Sequence, residues 1–131
     1  MKLTAAEVLK RYKDEDLPEF SELRLEHVNQ AGNFGNCPIH VAAVRGSIEE
    51  LEALIAGGAN VNAAGELGNR PLHEAVGQGH RRAIEILLNA GATADAKNDE
   101  GKTPRDVAEL LGLSAILSLL DGRSNKSGRI H

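Results

Sequence analysis

Apolar positions recur along most of this chain at three- and four-residue spacing, in short runs bracketed by proline on one side and glycine on the other. Ile48, Leu51, Leu54 and Ile55 form one such stripe, and Ala83, Ile84, Leu87 and Leu88 form another. That spacing marks one face of a helix, where a strand would alternate. Pro38, Pro71 and Pro104 stand where a first helical turn gives up no hydrogen bond and a fixed φ suits helix entry. Gly46, Gly79 and Gly112 stand where such a helix must end in a left-handed cap. The pattern predicts pairs of short helices joined at glycine, with Ala42, Ala43, Ala75 and Ala108 allowing neighbouring helices to approach closely.

These markers keep one period. Pro38, Pro71 and Pro104 are 33 apart (71 − 38 and 104 − 71), and Gly35, Gly68 and Gly101 keep the same step three residues upstream. The alanines at 42, 75 and 108 and the glycines at 46, 79 and 112 repeat it again. Four position classes in one register identify an internal repeat, and a unit this small buries little alone, so its stability must come from stacking. Stepping back by 33 sets Thr4 beside Cys37, Val8 beside Val41, and Val28-Asn29 beside Val61-Asn62. Thr4 and Glu7 also make a capping box. A degenerate first unit is therefore expected, with Pro18 leaving room only for a short second helix that begins near it.

The units "GNCPIHVAAVRGSIEELEALIAGGANVN", "GNRPLHEAVGQGHRRAIEILLNAGATAD" and "GKTPRDVAELLGLSAILSLLDG" resemble the ankyrin repeat over roughly residues 28 to 121. The resemblance implies an all-α solenoid of helix-turn-helix units with short β-hairpin loops, about four units including degenerate caps. The expected boundaries are 1–32 for an N-terminal capping repeat, 33–65 and 66–98 for full repeats, and 99–122 for a C-terminal cap in which Arg105 and Asp106 replace Leu and His. Residues 123–131 read as a mobile polar tail.

Composition narrows the chemistry. Hydrophobic residues make up 41% of the chain and aromatics only 2%, so the core must be aliphatic, which suits closely stacked small helices. A net charge of −4 works against an electrostatic grip on nucleic acid. The single Cys37 can form no internal disulfide. With no apolar run of signal-peptide or membrane-spanning length, a cytoplasmic protein is expected.

Catalytic and cofactor motifs fail on single residues. His73-Glu74 does not open His-Glu-x-x-His, because residue 77 is glycine. Gly77-Gln78-Gly79 lacks the third glycine of a nucleotide loop, where Arg82 stands. The acidic stretch from Asp95 carries Lys97 and Glu100 at the third and sixth places of a would-be calcium loop. Cys37 has no histidine partner set by a motif. Neither enzyme activity, metal nor cofactor is expected. The resemblance implies that His40 and His73, a repeat apart, brace adjacent turns through backbone hydrogen bonds.

Recognition is left to surface positions on a rigid scaffold. By the resemblance these are Asn33, Phe34 and Asn36 at the first tip, Glu66, Leu67 and Asn69 at the second, and Asp99, Glu100 and Lys102 at the third. Val44, Arg45 and Gln78 join them at the ends of the first helices. Phe34 and Leu67 each precede a turn glycine and either meet a partner or pack against the neighbouring hairpin. The expectation is a monomeric protein-protein interaction module; the narrower alternative is an inhibitor or immunity protein for one cognate toxin or enzyme.

Overall fold

Proline opens a helix at each of the three places where the 33-residue step puts it. The computed structural model describes the backbone of residues 2–128 and the side chains of residues 2–122. Its helices are α1 (Ala5–Asp14), α2 (Pro38–Arg45), α3 (Ile48–Ala56), α4 (Pro71–Gly77), α5 (Arg81–Asn89), α6 (Pro104–Leu111) and α7 (Ser114–Gly128), with single 3-10 turns at Pro18–Phe20 and Glu66–Gly68. No strand occurs among the described residues.

The same helix exit is built three times. Ser47 N–H donates to the Ala42 carbonyl at 3.1 Å, His80 N–H to Ala75 at 3.0 Å, and Leu113 N–H to Ala108 at 3.0 Å. The residue just before each donor is Gly46, Gly79 or Gly112, with φ of 65°, 72° and 69°. A side chain there would be strained, which is why this class admits only glycine.

The helices stack in two rows. α2, α4 and α6 pack side by side in the first, and α3 and α5 in the second, while α7 packs on α6. Ala42, Ala75 and Ala108 are completely buried between first-row helices. Leu51 and Leu54 of α3 and Ile84 and Leu87 of α5 are equally buried, so the stripes read from sequence do face the core. The tips between units are tight turns. Gly32, Gly65 and Asn98 N–H donate to the carbonyls of Asn36, Asn69 and Lys102 at 2.8, 2.8 and 2.9 Å. The expected β-hairpin loops are thus present as hydrogen-bonded turns that stop short of strand pairing.

The N-terminal unit differs from its expected form. The capping box of α1 is made, with Thr4 N–H donating to Glu7 Oε1 at 2.8 Å and Glu7 N–H to Thr4 Oγ1 at 3.2 Å. Stepping back by 33 would pair this helix with the first row, yet α1 packs on α3 in the second. Tyr12 and Arg11 meet Glu50 in the first turn of α3, and Ala5 lies against Gly57 at its other end, so the two helices run antiparallel. The cause is a cluster of contacts that no periodicity records. Tyr12 O–H donates to Glu50 Oε1 at 2.6 Å, Arg11 and Arg45 reach Glu50 Oε2 at 2.9 and 3.3 Å, and Arg45 lies 4.9 Å over the Tyr12 ring. Pro18 starts only one 3-10 turn, whose Phe20 is buried and stacks on Tyr12. The step does hold at Asn29 and Asn62, whose side chains bridge to the Gly58–Asn60 and Gly91–Thr93 loops in the same way.

At the other end, Ile116 and Leu120 of α7 are buried and Arg105 pairs with Asp121 at 2.7 Å. The helix backbone continues to Gly128, so the boundary drawn at residue 122 falls within α7. Residues 129–131 of the expected tail lie outside the described residues.

Candidate functional site

The tips are laced to one another by backbone and asparagine bonds. Asn36 Oδ1 accepts from Glu66 N–H at 2.9 Å across the first and second tips. Between the second and third, Leu67 O accepts from Asp99 N–H at 3.0 Å and Asn69 Oδ1 from Asn98 Nδ2 at 2.9 Å. The histidines carry the tie inward. His40 Nδ1 accepts from Cys37 N–H at 3.0 Å, leaving Nε2 to donate to the Ala63 and Asn69 carbonyls at 2.9 and 3.0 Å. His73 repeats this, accepting from Arg70 N–H at 2.9 Å and donating to Lys102 O at 2.8 Å. Burial, which disfavours the charged ring, holds both imidazoles below their ordinary pKa. His80 ties the next layer, its Nε2 donating to Val44 O at 3.0 Å.

This lacing decides which expected contact residues are free. Phe34, Leu67 and Val44 are 51%, 63% and 41% exposed. Glu66, Gln78, Asp99 and Glu100 are exposed, while Lys102 is half-buried. Asn36 is buried, and the half-buried Asn69 spends its side-chain oxygen on Asn98, so both serve the stack. Asn33 is exposed but ties the first tip to the N-terminal turn, its Nδ2 donating to Pro18 and Ser21 carbonyls at 3.1 and 3.0 Å. Arg45 is held by Glu15 and Glu50. Leu110 and Leu111, 68% and 53% exposed, stand one and two repeat steps on from Gly77 and Gln78 and from Val44 and Arg45, a relation the period alone supplies.

The family model for ankyrin repeats matches residues 6–99 and 40–125, in three copies. The chain belongs to the ankyrin-repeat family. The match reaches beyond the stretch that carries the sequence signature, into α1 at one end and α7 at the other. Ankyrin repeats are in general protein-protein interaction modules, and the family is typically non-enzymatic. No curated protein matches the chain. No helix among the described residues is long and apolar enough to cross a membrane.

Cys37 is buried and its thiol is pushed up by that burial, away from the reactive thiolate. Among the described residues no group of three or more His, Cys, Asp or Glu side chains is placed to hold a metal ion. On α4 the Glu74 carboxyl is raised, first by burial and then by Glu66.

Proposed function

We propose that this ankyrin-repeat protein binds a partner protein through the face made by its tips and the ends of its first-row helices, the concave side of such a stack. The observation that carries the reading is the exposure of Phe34, Leu67 and Val44 on segments whose backbones are laced from repeat to repeat. Apolar side chains on a preorganised surface bind with little ordering cost. Leu67 adds a second mark: its φ of 59° is left-handed, a conformation that costs a non-glycine residue about 1–2 kcal/mol. The Leu67 carbonyl serves the stack by accepting from Asp99 N–H, but its side chain stands open to solvent, and a contact with a partner supplies a reason for a leucine there.

Capture from native cells tests this reading. The tagged protein is compared with a Phe34→Asp, Leu67→Asp double variant that gives the same circular dichroism. The expected result is one stoichiometric protein held by the wild type and lost from the variant. Equal capture by both would move the binding face elsewhere. An assay of the captured partner's own activity then separates an adaptor, which leaves it intact, from a dedicated inhibitor, which abolishes it.

A further inference from the structure

Among the described residues the exposed large hydrophobic side chains are Phe34, Leu67, Val44, Leu110 and Leu111. The first two share one repeat position and the other three lie at two adjacent ones. Single exposed apolar residues scattered over a surface need no explanation, but recurrence at three repeat positions does. Val44 and Leu110 are two steps apart (110 − 44 = 66), and between them the same position holds Gly77. A methyl group built on Gly77 would meet nothing within 4 Å. The row is therefore apolar, open, apolar.

The opening has a carboxylate beside it. Glu74 lies three residues before Gly77 in α4, on the same helical face. Its counterparts one step away are Val41 and Val107, so a charge stands where the other repeats place an apolar residue. Glu74 is half-buried, and neither it nor Glu66 takes part in an ion pair among the described residues. Burial and the nearby Glu66 both make the Glu74 charge costly in the free protein. The neighbouring cations do not relieve it: Arg45 is bound to Glu15 and Glu50, Arg70 donates to the Asn62 carbonyl at 2.9 Å, and Lys102 lies by Asp106 at the third tip.

We infer that this face takes a partner segment carrying a lysine or arginine between apolar side chains, the cation over Gly77 against Glu74 and Glu66, the flanking groups on Val44 and Leu110. Glycine supplies the room, the two carboxylates supply the charge, and the apolar residues on either side exclude water from the pair. The inference rests on the reading of this face as the binding surface, and its test separates the two.

Short random peptides displayed on phage are selected against the immobilised wild-type protein, then measured as free labelled peptides. The comparison proteins are Glu66→Gln/Glu74→Gln, Gly77→Leu and Val44→Asp/Leu110→Asp, each checked for unchanged circular dichroism and thermal melting. The expected selection is for peptides with a basic residue flanked by apolar ones. These should bind roughly tenfold or more weakly to the carboxamide variant and to Gly77→Leu, because each removes one half of a desolvated charge pair or its space. Peptides without a basic residue, or with unchanged affinity for the carboxamide variant, that still fail on Val44→Asp/Leu110→Asp would overturn the cation and leave the face standing. Peptides binding all four proteins alike would overturn both. No enrichment over the Gly77→Leu protein, or a stable dimer in sedimentation that Leu110→Asp dissolves, would also overturn the inference.

Discussion

A buried imidazole can hold two backbones together only while it stays neutral. His40 and His73 each use one ring nitrogen as acceptor and the other as donor. Burial depresses both folded pKa values below 6.5, whereas the unfolded chain titrates near that value. Above it both states are neutral and the contribution to stability is complete. As pH falls below 6.5, the unfolded chain takes up protons first, and stability declines until the lower folded pKa is passed. Urea midpoints should therefore drop between about pH 7.5 and about pH 5, and His73→Gln should flatten that slope while costing about 2 kcal/mol at neutral pH. An unchanged slope in the variant would remove His73 from this role. Leu67 gives the opposite kind of prediction. Replacing it by glycine should raise stability by about 1 kcal/mol through relief of the left-handed backbone, and weaken partner binding in the same protein. Denaturant titration beside a capture assay reads both.

At the scale of the element, the helices differ in how openly the sequence states them. The proline entry, buried alanine and glycine exit of α2, α4 and α6 each solve a local problem, so their spacing shows in the bare sequence. The position of α1 does not show. Its capping box announces a helix from Thr4, but its row and direction depend on Tyr12 and Arg11 reaching Glu50, 38 and 39 residues away. A period of 33 reports which residues are equivalent and says nothing of a helix that leaves the register. Likewise Phe34 and Leu67 were legible as tip residues and Leu110 stands at the period's counterpart of Val44, while the burial of Asn36 required knowing which side chains the lacing consumes. If Glu50 fixes α1, then Glu50→Gln should lower stability by about 2 kcal/mol, since Tyr12 and both arginines lose a charged acceptor. Hydrogen exchange should locate that loss in α1 and α3. A loss confined to α5 and beyond would contradict the assignment.

The whole molecule is a short stack in which each layer rests on its neighbours, so stability should behave as a sum over adjacent units. Phe20, in the turn after α1, and Leu120, in α7, are both buried, at opposite ends of the chain. Phe20→Ala and Leu120→Ala should each cost about 3 kcal/mol, and the double variant about their sum if unfolding stays cooperative. Strong non-additivity would mean that the ends communicate directly or that the stack comes apart in pieces. By the reading proposed above, the same layered build makes one broad binding face out of residues from three repeats.

Hydrogen exchange on the complex captured from native cells tests it most directly. Partner binding should protect peptides spanning 33–45, 66–78 and 99–111 and leave 48–56 and 81–89 at the rates of the free protein. Protection concentrated in α3 and α5, with the tips still exchanging freely, would contradict the account.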